Sequence, residues 1–449
     1  MEKFLNNDYD TLANVANNFI QKCIQTHQIN IGELYQNMEA GFAKFNFRDN
    51  NHRGGVENIL LVRLDYIGDF IMAIPAIREI RMNYPFARIT LLVNKVVYPV
   101  AELCPYVNEV LISPAEHPIF LKGNLLEYIS LYINFARENL WKRRFDLAIC
   151  LNQGVQFFQH FVTWFSGARE RVGYIFQPEV PPQNNVTYLL LTKVIQFDKR
   201  LTHAITQVLY ILKAMGLQIY HTNLEFWYDA TDLYYAKKLL EGFAPDRIKI
   251  AVGIGAKGGE YKYPIELYLQ AFKKIINKGA AIVILGGPKE SESASFIQKN
   301  LPDKFVKNLV DNSVNLRISA ATMSQMNMYI GNDTGTMHLA VCAHIPIVAV
   351  HRVAKDLPSP NILDAFFPWQ TNAIILQPEH QLGDCQKANN PIGCIAGKPH
   401  CITQIEPEEI VAAYETMANF IKKSGIKNLG CSQIMRSIDQ ISELNFESN

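Results

Sequence analysis

Apolar runs of strand length, each followed by a helix-length pattern, recur along this chain and leave few folds open. The first is Asn58 to Leu64 (NILLVRL), with a helix pattern from Phe70 to Asn83 behind it. Arg88 to Val93 (RITLLV), Asn108 to Ile112 and Asp146 to Leu151 (DLAICL) continue the series. Strands apolar on both faces belong in a parallel sheet with helices on each side. The rhythm restarts at Lys249 to Ile254 (KIAVGI) and runs through Ile282 to Leu285, Asn327 to Ile330 and Pro346 to Val350. Two successive α/β units are therefore expected, each of ordinary domain size. A chain of 449 residues is also too long for one ordinary core.

Ahead of the first unit, residues 1–54 read as a helical extension, with Leu12, Val15, Phe19, Ile20 and Cys23 at helical spacing. The expected division is 1–54 for this extension, 55–240 and 241–405 for the two α/β domains, and 406–449 for a last helix and a polar tail. His203 to Met215 reads as a helix closed by Gly216, and Glu406 to Ile421 as the last helix. Hydrophobic content of 49% against 19% charged residues fits a well-packed globular protein. The formal charge of +1 gives no reason to expect a nucleic-acid partner. The acidic N-terminus (Glu2, Asp8, Asp10) leads into no apolar signal region, and no run approaches the ~20 apolar residues of a membrane span. A cytoplasmic location follows, with peripheral contact to the inner membrane left open.

In open parallel sheets ligands bind beyond the carboxyl ends of the strands. Four loops there are unusual. Asp65-Tyr66-Ile67-Gly68-Asp69 follows the first strand, and Asp69, at or near the helix N-cap, either caps the helix or meets a ligand. The Gly-x-Gly-x-x-Gly fingerprint of dinucleotide binding is absent from this loop. Gly253 to Gly259 (GIGAKGG, including Gly255) precedes Lys262-Tyr263-Pro264, and offers backbone amides and a lysine to an oxyanion. In Gly286-Gly287-Pro288-Lys289-Glu290, Glu290 accepts from ribose hydroxyls or is a first-turn acid favoured by the helix dipole.

The fourth loop lies in YIGNDTGTMHLAVCA (Tyr329–Ala343), where Asp333 to Thr336 stand between a buried strand and a helix pattern beginning at Met337. Backbone N–H groups of Thr334, Gly335 and Thr336 at a helix N-terminus suit a phosphate. Asp333 suits sugar hydroxyls or the turn itself, and His338 either packs or donates to the ligand. Three loops of the second unit thus converge on a nucleoside diphosphate. Asp69 belongs to the first unit, and an interdomain cleft is expected to bring it against the donor.

The segment Arg63-Leu64-Asp65-Tyr66-Ile67-Gly68-Asp69, followed by Ala73-Ile74-Pro75-Ala76, resembles the opening motif of the family 9 glycosyltransferases, the bacterial heptosyltransferases. Asn332 to Ala340 (NDTGTMHLA) resembles their second hallmark, and Lys262-Tyr263-Pro264 their Lys-x-Pro element. The ordered matches span about residues 56–410. The resemblance implies a GT-B fold, an α/β architecture of two facing Rossmann-like domains, here with the helical extension added. It implies inverting transfer from ADP-heptose without a catalytic metal or other cofactor. Matched by position, Asp69 is the general base, Lys262 and Thr334-Gly335 contact the diphosphate, Asp333 contacts the donor sugar, and Glu290 loosely matches a ribose-binding acid. The family often has Phe-Gly after its Pro-containing strand, whereas this chain has Val350-His351-Arg352.

Cys385, Cys394 and Cys401, with His400 adjacent, form the one cysteine cluster; a structural metal and reduced packing thiols are its two readings. Phe120 to Leu140 is an aromatic amphipathic helix, suited to the core or to a membrane surface. The implied partners are a nucleotide-sugar donor and a glycan, glycolipid or protein acceptor, with lipopolysaccharide core foremost. A protein heptosyltransferase, a nucleotide-sugar epimerase and a binding protein with a degenerate site are the alternatives.

Overall fold

The computed structural model describes residues 2–26, 30–45, 55–115, 125–152, 157–175, 189–196, 198, 200–256, 261–310, 314–356, 365–383 and 398–424. The chain divides into two compact units, Met1–Arg200 with Gln207–Thr222, and Leu201–Thr206 with Asn223–Asn449.

The first unit begins with α1 (Glu2–Thr26) and α2 (Ile31–Lys44). Leu12, Phe19, Ile20 and Cys23 are buried, as their helical spacing requires, in one apolar cluster with Leu34, Met38 and Phe42. A Cβ on Gly41 would stand 2.5 Å from Leu12 Cδ1, so the two helices meet where one has no side chain. The same cluster takes in Trp141, Phe161 and Phe165, and Trp164 Nε1 donates to Glu39 Oε1 at 2.7 Å. The extension therefore shares its core with the first sheet.

That sheet has six parallel strands in the order β3-β2-β1-β4-β5-β6. They are β1 (Asn58–Arg63), β2 (Arg88–Val93), β3 (Glu109–Ile112), β4 (Leu147–Cys150), β5 (Glu170–Ile175) and β6 (Lys193–Gln196). The connecting helices are α3 (Ile67–Asn83), α4 (Tyr98–Ala101), α5 (Leu125–Phe135) and α6 (Phe157–Phe165). Every residue of α3 from Phe70 to Ile80 is buried, which is why its sequence lacks a polar face. In α5, Leu126, Tyr128, Ile129, Tyr132 and Ile133 turn inward, and a π-helical turn (Ala136–Leu140) carries Leu140 into the same core. The aromatic face read from Phe120 to Leu140 is thus spent on packing, while Phe120 to Asn124 lie outside the described residues. Among the described residues no helix is long and apolar enough to cross a membrane.

Next comes α7 (Ala204–Ala214), and from Asn223 onward the chain belongs to the second unit. Its second sheet again has six parallel strands, ordered β12-β11-β10-β7-β8-β9. These are β7 (Ile248–Gly253), β8 (Ala280–Leu285), β9 (Val306–Asn308), β10 (Met328–Asn332), β11 (Ile347–Val350) and β12 (Ala373–Leu376). With α8 (Ala230–Leu239), the helices are α9 (Ile265–Asn277), α10 (Ser291–Lys299), α11 (Leu316–Met323), α12 (Gly335–Cys342) and α13 (Pro407–Ser424). Within the second unit, Arg317 Nε of α11 lies 3.0 Å from Asp232 Oδ2 of α8. In each sheet the order reverses at a central pair, β1/β4 and β7/β10, where doubly wound sheets take ligands.

Candidate functional site

At the β1/β4 reversal a buried polar network stands behind Asp69. Arg63, 1% exposed, ends β1 and sends Nη1 to the Leu151 carbonyl at 2.5 Å and to Asp65 Oδ2 at 3.2 Å. Asn152 Nδ2 and Gln159 Nε2 donate to the two oxygens of Asp65, at 2.9 and 3.2 Å. A charge buried this deeply persists only when paired and hydrogen-bonded. Arg63 Nη2 donates to the Asp69 carbonyl at 2.6 Å and lies 3.9 Å from its Oδ1. The N-cap of α3 is Tyr66, so Asp69 is the third helical residue, its side chain 25% exposed.

The β7/β10 reversal is built around Asn332, the last residue of β10 and wholly buried. Its Nδ2 donates to the carbonyls of Ile254 and Gly255, both at 3.1 Å. Its Oδ1 accepts the Tyr268 hydroxyl at 2.8 Å and the Tyr263 amide at 3.4 Å. One side chain thus fixes the glycine loop, the Lys262-Tyr263 segment and the entry to α12. The strands close in as well. A Cβ on Gly253 would come 2.2 Å from Tyr329 Oη and 2.4 Å from Thr336 Oγ1, and one on Gly331 would meet the Gly253 carbonyl at 2.4 Å.

Thr334 is the N-cap of α12, yet its side chain caps no backbone amide. Its hydroxyl instead meets Thr336 Oγ1 at 2.8 Å, and Thr336 in turn meets Tyr329 Oη at 3.2 Å. The helix starts two residues earlier than the sequence pattern suggested, because Gly335 and Thr336 already take helical geometry. Asp333, Thr334, Gly335 and Thr336 are all half-buried, so this helix end faces accessible space.

Gly255, Lys262 and Glu290 come together on the other side of Asn332. A Cβ on Gly255 would lie 2.9 Å from the Glu290 carboxyl carbon, so the missing side chain makes room for that acid. Glu290 Oε2 accepts the Gly287 amide at 3.0 Å, and Oε1 lies 3.6 Å from Lys262 Nζ. Lys257, Gly258 and Gly259 lie outside the described residues. Asp333 Oδ2 stands 3.9 Å from Nδ1 of His351, whose side chain is fully buried. His338 is 4% exposed, and its buried Nδ1 has no hydrogen-bond partner among the described residues. Burial, with His203 adding to it, pushes the His338 pKa down to about 3. Burial also takes His351 to about 3, helped by His338 and Arg352. Both rings are therefore neutral at physiological pH.

The residues missed by sequence reasoning are the buried polar ones. An asparagine closing an apolar strand was the available signal for Asn332; Asn152 and Gln159 gave none. Of the late cysteines, Cys401 accepts the Leu382 amide at 3.3 Å and lies 3.5 Å from His400 Nδ1, while Cys385 and Cys394 lie outside the described residues. Among the described residues no group of three or more His, Cys, Asp or Glu could hold a metal ion.

Two doubly wound sheets, one closing on a phosphate-ready helix end and the other carrying the partly exposed carboxylate of Asp69, have the parts of a group-transfer enzyme. The chain belongs to glycosyltransferase family 9 (heptosyltransferase), whose model matches residues 135–396, and it is a glycosyltransferase. It is 20% identical over 323 residues to lipooligosaccharide heptosyltransferase 2 of Haemophilus influenzae, covering 68% of this chain and 86% of that one. A solved family 9 glycosyltransferase from Veillonella parvula superposes with a TM-score of 0.64 at 22% identity, over 81% of this chain and 97% of the other. The ADP-heptose lipopolysaccharide heptosyltransferase II of E. coli gives 0.62 at 20% identity, over 81% and 99%. These likenesses bear out the α/β, GT-B fold class implied by the sequence.

Proposed function

We propose that this enzyme transfers a heptose from a nucleoside-diphosphate donor, ADP-heptose, to a hydroxyl of a bacterial surface glycan of the lipopolysaccharide-core kind. The names of its relatives support that donor and that acceptor class. In the proposed reaction the acceptor oxygen attacks the anomeric carbon while the bond to the diphosphate breaks, inverting the centre. Asp69 takes the acceptor proton late, when the attacking oxygen has become acidic, because a carboxylate with an ordinary pKa of ~3.9 is too weak a base to ionise an alcohol beforehand. Lys262 and the amides at Thr334, Gly335 and Thr336 receive the charge growing on the leaving diphosphate. Asp333 accepts hydrogen bonds from the sugar, and Glu290 accepts them from the ribose. The bare backbone at Gly255 lets the donor approach closely.

The observation that carries this reading is the Asn332 staple, which joins the Gly255 loop, the Lys262 segment and the α12 entry at one strand-order reversal. The charge stabilisation comes from the protein's own cation and amides, so the proposed transfer draws on no cofactor. We place the enzyme at the cytoplasmic face of the inner membrane, where a lipid-borne acceptor is made. The test is binding and hydrolysis of ADP-, UDP-, GDP- and dTDP-sugars, followed by transfer assays with heptose-deficient lipopolysaccharide core. Preference for ADP-heptose with transfer to the core supports the reading. Reversible conversion of the donor without an acceptor, or transfer only to a protein, contradicts it.

A further inference from the structure

β10 and β11 end side by side, with Asn332 paired to Val350. Just beyond them Asp333 lies 3.9 Å from His351, and Arg352 is the next residue. Arg352 is held in a defined place. Its guanidinium lies over the Tyr261 ring, 4.0 Å from the centroid, and Nη2 donates to Tyr261 Oη at 3.0 Å. Tyr261 immediately precedes Lys262. The guanidinium is therefore set beside the lysine segment, and Arg352 is half-buried rather than sealed.

A diphosphate at this turn needs a second cation. Lys262 shares its charge with Glu290, 3.6 Å away, and Asp333 adds a second carboxylate on the same rim. A diphosphate entering there meets a lysine already half-satisfied and an acid that repels it. Neutral His351 supplies no countercharge, although its two ring nitrogens, buried behind Asp333, have no hydrogen-bond partner among the described residues. Buried polar atoms left in that condition are characteristic of a site completed by a ligand or ordered water.

We propose that Arg352 is a donor-binding residue, a second cation that meets the diphosphate alongside Lys262, with Tyr261 as the platform that fixes its guanidinium. The inference rests on the donor reading above. A planar guanidinium presents paired N–H groups to phosphate oxygens, and stacking fixes its orientation before the ligand arrives.

The experiment is calorimetric titration of the full-length protein with ADP, UDP and GDP, each matched by its nucleoside, for wild type, Arg352→Ala, Arg352→Gln, Arg352→Lys and Tyr261→Ala. Thermal unfolding of each variant separates lost charge from lost fold. The expected result is a loss of about ten- to a hundredfold in nucleoside-diphosphate affinity for Arg352→Ala and Arg352→Gln, with nucleoside affinity unchanged. Arg352→Lys recovers part of it, and Tyr261→Ala loses part. Unchanged diphosphate affinity in a folded Arg352→Ala or Arg352→Gln protein overturns the role of Arg352 and leaves the donor reading standing. Absence of nucleoside-diphosphate binding by the wild type overturns both.

Discussion

The hydroxyl of Tyr268 donates to Oδ1 of Asn332 at 2.8 Å, with both residues wholly buried in the second unit. Tyr268 lies in α9 and Asn332 ends β10, so this bond joins a helix to the strand that leads into the phosphate-ready turn. Asn332→Ala leaves the Tyr268 hydroxyl and two carbonyls without their partner. Each buried polar group left unsatisfied costs about 1–3 kcal/mol. Urea unfolding should show a loss in that range or above, with the donor KM raised. Tyr268→Phe, which removes one partner only, should be milder in both readouts.

Gly253 tests the close packing around the same turn. Gly253→Ala forces a methyl against Tyr329 Oη and Thr336 Oγ1, at 2.2 and 2.4 Å in the undisturbed geometry. Overpacking of this kind costs about 1–3 kcal/mol. Adding Tyr329→Phe removes the nearer oxygen, though the ring carbon at 2.9 Å remains, so the double variant should recover part of the loss. Denaturation of the two single variants and the double one measures that coupling.

Lys262 separates function from stability. Its ion pair with Glu290 spans 3.6 Å with the lysine side chain 36% exposed, so solvent screening leaves the pair little weight in folding. Lys262→Ala should move the thermal midpoint hardly at all, yet weaken nucleoside-diphosphate binding about tenfold or more. A large fall in midpoint with unchanged ligand affinity would make the lysine structural.

Three buried histidines set a pH dependence. Burial holds His160 at about 4 and is the main cause holding His338 and His351 at about 3, all below the ordinary value. In the unfolded chain these rings take up protons near pH ~6.5, whereas the folded chain does not. The unfolded state then binds more protons, so stability is complete above that pH and is lost as pH falls toward the folded values. Each histidine contributes a slope of at most ~1.4 kcal/mol per pH unit. Urea unfolding from pH 7.5 to 5 should show declining stability, and His160→Phe should flatten the decline.

Most central strands were legible because they are apolar: all six residues of β8 are buried, and sequence showed the run directly, whereas β5, which opens on Glu170-Arg171, was not read. The edge strand β3 was legible too, but the edge strands β6 and β9 were not. β6 (Lys193–Gln196) and β9 (Val306–Asn308) are short and partly exposed, so their sequences carry charged and polar residues indistinguishable from loop. In the candidate site, Asp333 to Thr336 stood out because small polar residues at a strand–helix handover have few purposes. Asp65 with Asn152 and Gln159 did not. Their bonds cross 87 and 94 residues of sequence, and only the fold brings such groups together.

Replacement of Asp69 by asparagine tests the proposed chemistry most directly, with kcat for transfer and the donor Kd measured on the same preparation. Asparagine keeps the size of the side chain and removes its capacity to accept a proton. The expected result is a fall in kcat of about 10²–10⁴ with donor affinity unchanged. Full transferase activity in Asp69→Asn would contradict the assignment of this carboxylate as the base.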